Sequence, residues 1–315
     1  MLADFGVIIT QSGLDYRTIR DFVVEADSLG FSSVSMSDHF FSRMPPIELP
    51  NLECWTTLSA LSAETRKIRL CPLVLCNLYR YPAILAKVTS TLDVISGGRL
   101  ILGIGAGWHR EECEAYGVPF PPGYGTRVHQ LEEAIQIVKS MWTMDKPSFE
   151  GKYYTIKNAV CEPKPVQKPS PPILVGGSGE KLMSVLCRHS DYFNFGSFYY
   201  GTPDEDYLRK LQLREKCCKA IGRNPKDIKK SLNTIVFIAD SRKELDVKIS
   251  EYARKFGKSY LDYKKQLEQA VVGTPEECRS SLERYVNMGI DHFFLSFPDP
   301  FNKEDLRLFA QEAIS

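Results

Sequence analysis

Apolar runs of strand length alternate with segments of helical period along almost the whole chain. The runs are FGVIIT from Phe5, SSVSMS from Ser32, IRLCPLVL from Ile68, LILGIGAG from Leu100, PILVGG from Pro172, YFNFG from Tyr192, LNTIVFIA from Leu232 and HFFLSF from His292. Short runs of this kind, bounded by glycine and polar turn residues, read as buried strands. The segment from Pro82 to Ser96 illustrates the helical pattern. Pro82 suits a first turn, Ile84, Val88, Leu92 and Ile95 are expected on one buried face, Lys87, Thr91 and Asp93 on a polar one, and Gly97-Gly98 ends the helix. Strand alternating with helix implies parallel strands with crossover helices, and eight such units close into a (β/α)8 TIM barrel without an exposed sheet edge. An open doubly wound sheet is the alternative.

One segment breaks the rhythm. Residues Thr143 to Pro172, between the fourth helix and the fifth strand, are rich in proline, lysine and tyrosine and read as an insertion with a short hairpin at PSFEGKYYTI. A second long helical stretch, Lys243 to Ala270, precedes VVGTPEEC, where Thr274 and Pro275 make a helix start with Glu277 reaching back to it. No repeats or low-complexity tracts occur, so residues 1–315 read as one domain with 143–172 inserted in it.

Composition narrows the function classes. The 315 residues include 40 basic and 39 acidic side chains, a net charge of +1, which is not the basic footprint of a nucleic-acid binder. No apolar run reaches the roughly 18 residues of a membrane span, and MLADFGVIIT lacks the features of a secretion signal. A cytoplasmic protein acting on a small molecule is expected. Nine irregularly spaced cysteines read as free thiols in a reducing compartment. Cys71 and Cys76 are not read as a zinc pair, because an odd step along a strand sends two side chains to opposite faces; no metal is expected.

In parallel barrels the chemistry collects where strands end. Strand five ends in GGSG, where Gly176, Gly177, Ser178 and Gly179 bring backbone N–H groups and the start of a helix to one spot, suited to an anion such as phosphate. A tight turn with no ligand is the competing reading. Strand four ends in GIGAGWHREE. Its glycines at 103, 105 and 107 miss the G-x-G-x-x-G spacing of a dinucleotide fingerprint. They either leave room for a flat ring against the backbone, with Trp108 and Glu111 at the rim, or simply allow a tapered barrel to pack. Strand two ends in Asp38-His39, a carboxylate and an imidazole that face apart and each suit ligand orientation or proton exchange, with a buried structural histidine as the rival reading. Strand three ends in Cys76-Asn77, with Arg80 supplying a cation nearby.

Taken together these residues resemble the bacterial luciferase-like superfamily, specifically the branch that uses the deazaflavin coenzyme F420. The likeness is carried by YPAILAKVTSTLDVISGGRLILGIGAGWHREECEAYGVPF from Tyr81, SDHFF at strand two, PPILVGGSGEK and VVGTPEECRSSLERYVNMGIDHFFLSF. One departure is Tyr81, where many members carry histidine. The resemblance implies a luciferase-like barrel with an insertion, usually a homodimer, a ring lying across the barrel mouth, and a phosphate held by Gly176, Gly177 and Ser178. It implies His39 as the catalytic acid or base, with Asp38, Cys76, Asn77, Gly105, Ala106, Gly107, Trp108 and Glu111 around the cofactor. It also implies a non-proline cis peptide after strand three, by position Cys76-Asn77. Where alcohol-oxidising members place a glutamate at the strand-four rim this chain has Trp108, which counts against sugar-phosphate oxidation.

The expected function is therefore an F420-dependent oxidoreductase passing a hydride between deazaflavin and a small organic substrate. The alternative is an FMN-dependent luciferase-like monooxygenase. A cofactor carrier without turnover is a third class.

Overall fold

The computed structural model describes residues 3–43, 46–177, 179–196, 203–299 and 303–314. In chain order its strands are β1 (Asp4–Ile9), β2 (Ser33–Met36), β3 (Arg69–Pro72), β4 (Leu75–Cys76), β5 (Leu102–Gly105), β6 (Phe149–Glu150), β7 (Thr155–Ile156), β8 (Ile173–Gly176), β9 (Tyr192–Gly196), β10 (Lys229–Ile238), β11 (Val271–Gly273) and β12 (His292–Ser296). Helices α1 (Tyr16–Ser28), α2 (Cys54–Glu64), α3 (Pro82–Ile95), α4 (Arg110–Ala115), α5 (Tyr124–Thr143), α6 (Glu180–His189), α7 (Asp204–Ala220), α8 (Arg242–Lys255), α9 (Tyr260–Gln266), α10 (Pro275–Asn287) and α11 (Lys303–Leu308) connect them.

The main sheet runs β3-β2-β1-β12-β10-β9-β8-β5-β4, all pairs parallel. The third apolar run supplies both ends of that list. Its first half, β3, pairs with β2, and its second half, β4, pairs with β5. A bridge between Leu70 and Leu100 joins the two ends, so the eight predicted runs form the closed barrel rather than an open sheet. The predicted continuous third strand is thus interrupted, at a cis peptide between Leu73 and Val74. β11 adds a parallel strand to β10 outside the barrel path.

Inside the barrel Ile8, Cys71, Leu73, Ile101, Leu174, Tyr192 and Phe294 pack together, closing its lower part. Beside them the buried His292 meets Ser33 Oγ at 2.9 Å, and burial pushes its imidazole down to about 3, so it stays neutral. Outward-facing strand residues such as Val7, Val34, Leu102 and Val175 pack against the helices. Glu277 accepts the Thr274 N–H at 2.8 Å, the predicted capping box of α10.

Two helical expectations are corrected. The buried face of α3 is Leu85, Ala86, Thr89, Leu92 and Asp93, whereas Ile84 and Ile95 are 61% and 59% exposed. Apolar residues surround this helix, and the buried Asp93 carboxylate is retained because it accepts the backbone N–H and side-chain amide of Gln167 at 3.0 and 2.7 Å. The stretch from Lys243 to Ala270 is two helices, α8 and α9, separated at Gly257, whose φ of +64° suits a left-handed helix end. The predicted hairpin is present as β6-β7, antiparallel. Tyr81 ties it to the start of α3 by donating to the Thr155 carbonyl at 2.8 Å.

Candidate active site

A cavity of about 500 Å³ opens at the carboxyl ends of the barrel strands. It is lined by residues following β1 (Thr10, Gln11), β2 (Ser37, Asp38, His39), β5 (Ala106 to His109) and β8 (Gly177), with Cys76 from the end of β4. The glycine turn of strand five therefore opens into the cavity and not toward the opposite end of the barrel.

On one wall His39 Nδ1 lies 2.8 Å from Glu112 Oε2. Glu112 comes from α4, and its other oxygen accepts the backbone N–H of Phe40 at 2.6 Å, so the same carboxylate fixes both the ring and the loop that carries it. Tyr79 donates its hydroxyl to Oε2 at 2.5 Å, and His109 Nδ1 approaches at 3.4 Å. Burial alone would raise the Glu112 carboxyl; the hydrogen bonds from His39 and Tyr79 outweigh it and bring the carboxyl down to about 2. Glu112 is thus an anion at neutral pH. An anion on Nδ1 assigns the proton of neutral His39 to that nitrogen, leaving the Nε2 lone pair for the cavity.

Asp38 and His39 face apart, as expected for neighbours on a strand. Asp38 borders the cavity, but both its oxygens are bound: Arg80 contacts Oδ2 at 2.7 Å and Oδ1 at 3.0 Å, and the Cys76 N–H reaches Oδ2 at 2.8 Å. Burial pushes the Asp38 carboxyl up despite this pairing. Its arrangement fixes the end of β4 against the end of β2, and Arg80 extends the network to Glu53 at 2.5 Å.

The glycine positions are explained by Val74. A Cβ built on Gly105 would lie 2.9 Å from Val74 Cγ2, and one on Gly176 would lie 2.7 Å from Val74 Cγ1. The missing side chains therefore admit Val74 to the cavity floor, where a bare backbone platform was one expectation. The non-proline cis peptide precedes this valine, at Leu73-Val74, which corrects the expected Cys76-Asn77 by three residues. Asn77 is not among the lining residues; it is buried, with its N–H on the Gly105 carbonyl at 3.0 Å and its amide 3.3 Å from the Tyr154 hydroxyl. Cys76 does line the cavity, as a thiol pushed up to about 12 by burial.

Across from His39, Gly176 and Gly177 lead into α6, whose N-cap Gly179 provides no side-chain cap. Gly177 has φ +126°, and a Cβ there would lie 2.5 Å from Leu182 Cδ2. Only glycine fits. The uncapped first-turn N–H groups of α6 and the Gly177 backbone fit an anionic group such as a phosphate. Ser178 lies outside the described residues.

At the β5 rim Gly105, Ala106, Gly107 and Trp108 line the cavity as expected, Trp108 being 62% exposed. Glu111 does not. Its side chain is 85% exposed, and the carboxylate that enters the site is the next one, Glu112. Helical spacing was the available signal, since Glu112 stands three residues after His109 and shares its face. Tyr79, His109 and Arg43 were also missed. His39, His109 and Glu112 place ligand atoms within 4.8 Å of one another. These atoms are engaged in hydrogen bonds, with the Arg43 guanidinium 2.9 Å from His109 Nε2, so the group reads as a proton network and not a cation site.

A closed parallel barrel whose strand mouths enclose a hydrogen-bonded imidazole is an arrangement suited to an enzyme, and sequence comparison supplies its family. The chain belongs to the luciferase-like monooxygenase family, whose model matches residues 1–292. It is 29% identical over 334 residues to an F420-dependent glucose-6-phosphate dehydrogenase from Microbacterium testaceum, covering 98% of this chain and 96% of that one. It is 31% identical over 204 residues to an FMNH(2)-dependent dimethylsulfone monooxygenase from Pseudomonas putida, covering 64% of this chain and 53% of that one. An F420-dependent secondary alcohol dehydrogenase, solved with an F420-acetone adduct, shares the fold with a TM-score of 0.83 at 20% identity, over 99% of this chain and 98% of that one.

Proposed function

We propose that this protein is an F420-dependent oxidoreductase in which His39 exchanges a proton with a small organic substrate. The observation that carries the reading is the His39–Glu112 pair at 2.8 Å, in a cavity whose far wall is a glycine turn suited to a phosphate. The full-length likeness to an F420-dependent dehydrogenase supports the choice of cofactor.

Bound there, a deazaflavin supplies the hydride donor or acceptor. Gly176, Gly177 and the first turn of α6 would hold its phosphate, and Val74, Cys76 and Ala106 to Trp108 would shape the ring pocket. His39 gives or takes the proton through Nε2. Glu112 keeps Nδ1 protonated, stabilises the imidazolium when it forms and fixes the ring's direction. Tyr79 and the Phe40 N–H hold Glu112 in turn. The apolar lining from Ile8, Ile9 and Leu73 limits water.

The substrate of the Microbacterium relative is not carried over. Trp108 occupies the rim where a glutamate would assist alcohol oxidation, and Glu111 faces solvent. A second reading, an FMN-dependent monooxygenase, is favoured by the Pseudomonas relative and uses the same phosphate turn. Titrating purified protein separately with deazaflavin and FMN, followed by fluorescence quenching, decides between them. Deazaflavin should bind at least about tenfold more tightly; a preference for FMN moves the second reading to first place. We also take the protein to act as a homodimer, with the exposed Ile84 and Ile95 on α3 in the interface.

A further inference from the structure

We infer that the substrate carries an oxyanion, a carboxylate or phosphate monoester, and that Arg43 selects it with Trp108 as the platform beside it. This rests on the reading above for the location of the reacting centre and goes beyond it in naming the substrate's chemistry.

Among the described lining residues the permanently charged or acidic side chains are Asp38 and Arg43. Asp38 is neutralised by its two-point contact with Arg80. Arg43 has no carboxylate among the described residues within ion-pair distance. Its contacts are one hydrogen bond to His109 Nε2, at 2.9 Å, and the face of Trp108, whose ring centre lies 4.7 Å from the guanidinium carbon. A guanidinium has five N–H donors, so most of this fork is left for a ligand.

The His109 contact also fixes the direction of the fork. Glu111 reaches the same Nε2 at 3.2 Å from the solvent side, but one imidazole nitrogen cannot accept from Arg43 and donate to Glu111 at once. With Nδ1 turned to the Glu112 carboxylate at 3.4 Å, the proton belongs on Nδ1 and Nε2 accepts from Arg43. His109 therefore orients Arg43 without cancelling its charge. The three side chains follow one another along the wall, because the His39 ring meets Trp108 edge-on at 5.8 Å between centres. An exposed guanidinium with no carboxylate in ion-pair contact among the described residues is thus held at the cavity wall beside the proposed proton donor. A planar, bidentate oxyanion is the ligand that a fixed guanidinium recognises best.

The test compares benzoate, phenyl phosphate and benzamide, which share a ring and differ in charge, by calorimetric titration of the protein with and without saturating deazaflavin. Benzoate or phenyl phosphate should bind at least about tenfold more tightly than benzamide, and the stronger of the two names the oxyanion. Arg43→Gln should abolish the preference, Arg43→Lys should keep part of it, and both should leave deazaflavin affinity within about twofold. The inference is overturned if benzamide binds as well as both anions, if neither anion binds, or if the Lys and Gln variants behave alike. It is also overturned if Arg43→Gln weakens deazaflavin tenfold or more, which would assign Arg43 to the cofactor. Failure of the unsubstituted protein to bind deazaflavin would instead remove the cofactor reading, with the anion preference still measured in the cofactor-free titrations.

Discussion

His39 and Glu112 are 73 residues apart in the chain and 2.8 Å apart in the folded protein, with the carboxylate on Nδ1 of the ring. In the proposed reaction the pair acts as one unit. His39→Ala should lower turnover by about 100-fold or more while leaving cofactor affinity nearly unchanged. Glu112→Gln should lower turnover by about 10- to 100-fold and alter the pH dependence of the rate. The double variant should be no slower than His39→Ala alone, because the carboxylate works through the imidazole. Additive losses in that cycle would separate the two residues.

The acid side of the stability profile follows from the same carboxylate. The folded protein holds Glu112 at about 2 against an ordinary 4.5, a depressed value, so its contribution is complete above about pH 4.5 and disappears as pH falls toward 2. The melting-temperature gap between the parent and Glu112→Gln should therefore be flat from neutrality to about pH 5 and close below it. A gap that stays constant down to pH 3 would mean the carboxyl is not held low.

Gly177→Ala places a methyl 2.5 Å from Leu182 Cδ2 at a backbone φ of +126°. The turn must shift, and the N–H groups proposed to hold the phosphate shift with it. Cofactor dissociation constants should rise about tenfold or more, for deazaflavin and FMN alike, with a modest fall in melting temperature. Unchanged affinity in a correctly folded variant would remove the phosphate from this turn.

Arg80→Met leaves the buried Asp38 without its cation. Breaking such a pair by removing one partner costs roughly 3–5 kcal/mol. Urea unfolding should register that loss, and adding Asp38→Asn to the same chain should restore part of it. Equal stability of parent and Arg80→Met would show that the pair contributes little to folding.

Ile84 and Ile95 lie eleven residues apart, three helical turns, on the exposed side of α3. Replacing both with lysine should convert a dimer to a monomer in light scattering without lowering the monomer's stability by more than about 1 kcal/mol, as expected for exposed sites. A variant that remains dimeric would move the interface elsewhere.

The sequence by itself determined eight strand runs alternating with helices, because strand and helix periods are local and each run carries its own boundary in glycine and polar residues; closure into a barrel was decided by the long-range bridge between Leu70 and Leu100. It also pointed to the strand ends, so His39, Trp108, Gly176 and Gly177 were legible from position alone as residues that line the cavity. Only the tertiary structure decided partners. Asp38 is matched to Arg80 and His39 to Glu112 by the closing of different strands against one another, and no spacing along the chain records that distance. The choice of Glu112 over Glu111 was decided by how α4 turns on the barrel rim, and the role of the glycines by Val74, which enters from a neighbouring strand. The exposed face of α3 was likewise undecided, because its apolar residues spread beyond one face and its polar ones, Lys87, Thr91 and Asp93, do not form a clean opposite stripe: periodicity identifies a core only when the opposite face is polar.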